Sequence, residues 1–259
     1  MSTSTAEPAA PAEPGSEAGR GAAPGRALGA VLCAVLGIGC LGGAALGAWA
    51  EQHAAHRPPS AEAAYRRAGS LWHTAPVDTL FPPVLAAPDT GPGGADRTWT
   101  RVALAPDSEC GPALTPDWQA ALAPTGCTRV LRATYSDATR SSLVAVGLVF
   151  TPADAPAMAA LDGRLTAPPA YGFGDGRRAA WTAAVLPDAP VVVYTVSAFA
   201  DGRTVPAPVP AADALRKDAT GAVAQAGLGH GAKAVGERLE RTVRELAAAP
   251  SAEPGGGGR

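Results

Sequence analysis

Hydrophobic and polar positions divide the chain into stretches of different texture. Residues 27–50, ALGAVLCAVLGIGCLGGAALGAWA, form an uncharged apolar run bounded by Arg26 and Glu51. The hydrocarbon core of a bilayer needs about 20 apolar residues in helix, so this run is long enough to span it with some tilt. Residues 1–26 carry few bulky apolar side chains and much Ala, Pro, Ser, Gly and Glu. Burial cannot offset their chain entropy, and they predict a disordered tail. Residues 51–95 read as a polar stalk, a short helix and a Pro-rich strap. Ser60 caps the helix, which runs to about Trp72 with Glu62 in its first turn. In TAPVDTLFPPVL the prolines forbid regular helix and favour an extended strap, anchored by Leu80, Phe81 and Leu85. Residues 87–95, APDTGPGGA, read as a flexible loop.

From residue 96 to 248 the pattern becomes regular. Alternation predicts a strand over residues 97–104, with Val102 and Leu104 on one face, and β-rich runs predict strands over 127–135, 141–150, 179–186 and 191–199. The residues 136–140 join two of these as a hairpin. LVAVGLVF is apolar on both faces, which predicts a central strand. A short helix is expected over 116–123 with Thr115 as its cap, and another from Thr151-Pro152 to about Leu161. The last helix, over 232–246, places Val235, Leu239, Val243 and Leu246 on one face, with Glu237–Arg241 and Glu240–Arg244 spaced for surface pairs. From residue 97 the order is β-α-β-β-α-β, with one extra strand and a terminal helix. That is the ferredoxin-like, split βαβ order. The expectation is therefore an α+β domain, its sheet mainly antiparallel with helices on one face. Residues 249–259 read as a disordered tail.

Charge adds little. The formal net charge of the 259 residues is −2, and the only lysines are Lys217 and Lys233. Neither nucleic acid nor a polybasic membrane patch is indicated. Cysteine adds more. Cys33 and Cys40 lie in the apolar run, where a thiol behaves as a small hydrophobe. Cys110 and Cys127 lie in the domain and read as one disulfide if that domain is exported, or as two buried thiols otherwise.

The apolar run admits two fates. Ala48-Trp49-Ala50 has the small-x-small form of a cleavage site after Ala50, but the run exceeds the 7–15 residues of a signal core. Trp49 stands where an interfacial aromatic belongs, and a permanent anchor is the expectation. Arg20 and Arg26 on one side and Arg57, Arg66 and Arg67 on the other leave orientation undecided by charge. The cysteine pair and the small tail favour the N-terminus inside and the domain outside the cell membrane. Gly39, Gly43 and Gly47 share a helix face, which would let two such helices approach as a homodimer.

ADRTWTR, LRATYSDAT and VVVYTVSAFADGR, together with the LFPP strap and the Cys110/Cys127 pair, resemble single-pass membrane proteins of streptomycetes and related actinobacteria. The resemblance covers most of the chain from the crossing to Leu246 and carries no catalytic residue with it.

No G-x-S-x-G, H-E-x-x-H, P-loop or C-x-x-C occurs. His53 and His56 lack the further ligands of a metal site, and no metal or cofactor is expected. His73 and His230 are not flanked by a recognisable serine–aspartate arrangement. Asp96, Arg101 and Arg132 are the candidate ligand-binding residues, since arginine grips carboxylate or phosphate in a bidentate way. An internal Asp–Arg pair on a solvated sheet face is the competing reading. The leading expectation is a membrane-anchored extracytoplasmic domain that binds a partner protein or envelope component without catalysis. The alternatives are an accessory subunit of an envelope protease or secretion system, and a cell-envelope hydrolase with an unrecognised site.

Overall fold

The computed structural model describes residues 35–37, 39–40, 43–49, 59–88, 90 and 95–249. The chain divides into two units, residues 1–56 and 57–259. In the first unit the described residues are helical, and Val35, Leu36, Leu46 and Trp49 are exposed. The expected crossing over 27–50 lies in good part outside the described residues, as do the tail 1–26, the stalk residues 51–58 with His53 and His56, and residues 250–259. Among the described residues no helix is long and apolar enough to cross a membrane.

The second unit begins as the sequence predicts. Ser60 caps α1 (Ala61–Thr74), its hydroxyl accepting from the Ala63 N–H, and Glu62 stands in the first turn. The strap departs from the extended expectation in its first half, and its second half is extended as a strand. Val77–Leu80 forms one helical turn, α2, with Pro76 as its N-cap, and Val84–Ala87 forms strand β1. Proline at a helix head or strand head loses nothing by lacking an N–H. Pro83, just before β1, accepts from the Arg101 N–H at 2.9 Å. Leu80, Phe81 and Leu85 are buried, as expected of anchors.

Six further strands follow: β2 (Arg97–Leu104), β3 (Arg129–Asp137), β4 (Ser142–Phe150), β5 (Ala180–Val185), β6 (Val191–Phe199) and β7 (Val209–Pro210). They make one sheet in the order β1-β2-β3-β4-β6-β5-β7. Every pairing is antiparallel except the short β5–β7 contact. The α+β class and mainly antiparallel sheet are thus observed. The ferredoxin-like order is not what the ladder records. It needs a strand lodged between the two that flank the first helix, whereas β2 and β3 are direct antiparallel neighbours. A meander of β2, β3 and β4 results.

β4 is central, as its two apolar faces predict. β6, apolar on both faces too, lies beside it. Two such strands require cover on both sides, and this corrects the expectation of helices on one face. On one face, Tyr135, Val146, Leu148, Phe150 and Val193 pack with α1 and the long helix α8 (Leu228–Ala248). On the other, Val130, Val149, Val192 and Tyr194 pack beneath the disulfide segment and α5 (Ala155–Ala159). That segment holds α3 (Cys110–Ala113) and α4 (Pro116–Leu122), closed by Cys110–Cys127 with 6.2 Å between Cα atoms. Its Trp118 is fully buried, meets Tyr194 edge-on at 5.2 Å and donates to the Thr166 carbonyl.

Other boundaries moved for local reasons. Residues 152–154 stay out of helix because Asp154 is the cap of α5, accepting from the Ala157 N–H at 3.0 Å. In β2 the inward residues include Trp99 and Arg101, while Val102 and Leu104 are exposed where a bulge between Arg101 and Ala103 shifts the register. The final helix extends beyond 232–246 at both ends, with Val235, Leu239 and Val243 buried. Glu240 does pair with Arg244, and Glu237 pairs with Lys233.

Candidate functional site

The residues following β6 read as a closing turn and a Pro-rich linker, and they line a concavity. β6 ends at Phe199, opposite Ser142 at the head of β4. The turn after it is held by Asp201, whose carboxylate accepts from the Arg203 backbone N–H and guanidinium, with Gly202 supplying a φ of 88°. The Arg203 hydrogen bonds hold the Asp201 carboxyl below its usual range. Arg203 then lies over the Phe199 ring, its guanidinium carbon 4.2 Å from the centroid.

On one side of that stacked pair is an apolar cleft of about 690 Å³, including Val205, Val209, Ala214 and Val223 in its lining. Those four pack on the buried cluster of Ala179, Ala180, Phe199 and Leu228. Two short helices frame it, α6 (Ala211–Ala214) and α7 (Ala222–Gln225). Its rim carries Asp213 and the Arg216–Asp218 pair, which closes at 2.9 Å. On the other side is a polar chamber of about 660 Å³ lined by Thr139, Arg140, Ser141 and Ser142 of the β3–β4 hairpin, with Asp201 and Leu228. Phe199 and Arg203 line both chambers, so the two adjoin at that pair.

The hairpin at the polar end is shaped by Asp137. Its Oδ1 accepts from the Ser141 and Ser142 N–H groups at 2.8 and 2.9 Å, and its Oδ2 accepts from the Thr139 and Ser141 hydroxyls at 2.5 and 2.9 Å. Burial acts to raise the Asp137 pKa, but these bonds outweigh it and hold the carboxyl below its ordinary value. Arg140, at the tip, adopts φ 55°. Its guanidinium makes no hydrogen bond or ion pair among the described residues.

The three residues singled out from sequence do not converge. Arg101 is a latch: its guanidinium donates to the Phe81 carbonyl at 2.5 Å and to Asp78 at 2.7 Å. It stands opposite Tyr135 in the ladder, whose hydroxyl donates to the Pro82 carbonyl. Arg132 lies on the opposite face of the sheet, 5.3 Å from the Tyr171 ring centroid. Asp96 precedes β2 at the end remote from Arg132, whose carbonyl accepts from Ala105 beyond the other end of that strand. His73 packs edge-on against Trp72 at the end of α1. His230 sits in α8, where burial and then Arg97 and Lys233 lower its pKa. Among the described residues no group of three or more His, Cys, Asp or Glu is placed to hold a metal ion.

The cleft residues were missed because the sequence marks them only as punctuation. Two signals were present: a bulky arginine in a turn position that favours glycine or asparagine, and apolar residues spaced through a linker that needed none. Compared with family models, curated proteins and solved structures, the chain matches none.

Proposed function

We propose that this chain is a membrane-anchored, extracytoplasmic binding domain that holds its ligand in the cleft around Phe199 and Arg203 without chemically changing it. The observation that carries the reading is the cleft itself, with an apolar half of about 690 Å³ joined to a polar half. Each half by itself lies within the roughly 300–1,000 Å³ of small-molecule sites, which combine apolar walls with a few placed polar groups. The Cys110–Cys127 bond supports an oxidising compartment and, with the small tail, the N-terminus inside, and the apolar run over 27–50 supports a single crossing. The alternative of an accessory subunit of an envelope protease or secretion system draws on β1, which is an edge strand of the sheet. Such an edge is a place where a partner's strand can add.

Two measurements test the reading. Expression in an actinobacterial host, with an external thiol label applied before and after reduction, should give a full-length membrane species labelled only after reduction. A shortened species in the medium, or labelling of Cys110 and Cys127 only after permeabilisation, would overturn the anchored topology. A photo-crosslinking residue at Ala207, exposed on the cleft wall, should give discrete adducts in membranes. The same group at exposed Ala159, far from the cleft in sequence, should not. Equal adducts at both positions would sink the cleft as the binding site.

A further inference from the structure

At six positions among the described residues the backbone takes a left-handed φ with glycine: Gly126, Gly163, Gly172, Gly202, Gly221 and Gly227. The seventh such position is Arg140. An L side chain there is strained where glycine would not be. The chain follows the cheap rule everywhere else, so the turn does not explain Arg140. Strain of this kind points to what the side chain does. Its side chain is exposed, and its guanidinium has no acidic or carbonyl partner among the described residues. The other arginines of the cleft are committed, Arg203 to Asp201 and Arg216 to Asp218. Asp201, which lines the polar chamber, and Asp137 of the same hairpin are both engaged by the hydrogen bonds already described. Arg140 therefore brings to that chamber a cation whose donors are free for a ligand.

The other half of the cleft dictates the rest of the ligand. Its walls are mainly Val, Ala, Pro and Phe side chains, with Thr204, Asp213, Arg216, Asp218 and Thr220 among them, and the Val209 N–H is already given to the Ala179 carbonyl. A peptide laid there would bring backbone groups that need partners, each expensive to bury unpaired. A hydrocarbon chain brings none. From this charge and shape complementarity, and resting on the binding reading above, we propose that the occupant is a single-chain amphiphile with one carboxylate, a long-chain fatty acid drawn from the bilayer. The carboxylate accepts from Arg140 in the polar chamber. The alkyl chain passes the Phe199–Arg203 pair and lies against Val205, Val209 and Val223.

The test uses the full-length chain in membrane vesicles and a palmitate analogue carrying a diazirine near its methyl end. Adducts should map to residues 205–224 and be displaced by palmitate at least tenfold better than by hexadecanol, which has the same chain and no charge. Arg140→Gly should lower labelling at least tenfold while the protein melts at the same or a higher temperature, which separates lost binding from lost folding. Val209→Glu, at the apolar end, should also abolish labelling. Adducts confined to residues 27–50, equal competition by hexadecanol, or unchanged labelling of Arg140→Gly would each overturn the proposal. If palmitate fails while the crosslinker at Ala207 still captures a ligand, the cleft binds something else. If both fail, the binding reading falls with it.

Discussion

Gly147 shows how much one missing methyl can decide. It lies opposite Tyr194 in the ladder, and a Cβ built on it would stand 2.1 Å from the Tyr194 ring carbon Cζ. The tyrosine ring therefore lies flat across β4 beneath Trp118, with its hydroxyl buried and its pKa raised by burial, against an opposing pull from Arg132. Gly147→Ala must expel the ring or bend the strand. We expect a loss of at least about 2 kcal/mol in chemical denaturation, against less than about 0.5 kcal/mol for Gly111→Ala, where open space surrounds the new methyl. Arg101 offers a second contrast. Its side chain is 17% exposed and holds the Phe81 carbonyl as well as Asp78, which is 65% exposed. Arg101→Ala should cost about 2 kcal/mol and Asp78→Asn under about 1 kcal/mol, because the exposed partner leaves water-accessible groups behind.

At the scale of elements, the β3–β4 hairpin and the disulfide segment each make a measurable claim. The Asp137 carboxyl is held below its ordinary value in the folded chain. A depressed acid pKa gives stability that is complete above the unfolded value of about 3.9 and is lost as pH falls through the folded one. Wild-type protein should lose stability along that acid limb, and Asp137→Asn should flatten it when melting temperature is followed against pH. Glu240 in α8 has the opposite sign, since burial raises its pKa against the pull of Arg244. Its charged form is disfavoured by folding, so Glu240→Gln should raise the melting temperature at neutral pH. Arg244 keeps Asp188 at 3.0 Å in that variant. The Cys110–Cys127 loop spans 17 positions, and reducing it should cost about 3 kcal/mol, mainly through the freed unfolded chain. Loss of near-ultraviolet signal from Trp118 should accompany that change.

For the unit of residues 57–259 as a whole, α8 is the main helical cover of one face of the sheet. It covers β4, β5 and β6, meets α1, and takes the Ala232 carbonyl to within 2.9 Å of the buried Thr195 hydroxyl that donates to it. Gly236 on its buried side leaves just enough room for Thr182 and Thr195. A chain truncated before Leu228 should show no cooperative thermal transition, because the helical face of the sheet would be stripped. Retention of a sharp transition in that truncation would show that the sheet and the disulfide segment fold without it.

Much of this architecture could be read in advance, and the parts that could not share one cause. Alternating or β-rich apolar runs located β2 to β6, and Ser60 and Thr115 marked helix heads, because each of these is decided within a few residues of chain; the cysteine pair read as a disulfide only on the expectation of export. The layering, the meander and β1 required knowing which strand lies beside which, and local pattern carries no record of that. The site shows the same division. Arg101 and Arg132 look alike in sequence, yet the pleat sends one to each face of the sheet. Arg140, Phe199 and Val223 look unrelated, and only the antiparallel pairing of β4 with β6, with α7 folded back beneath, gathers them round one cleft. Short-range sterics and apolar periodicity determined the elements. Long-range pairing, which sequence separation hides, decided where their ends meet.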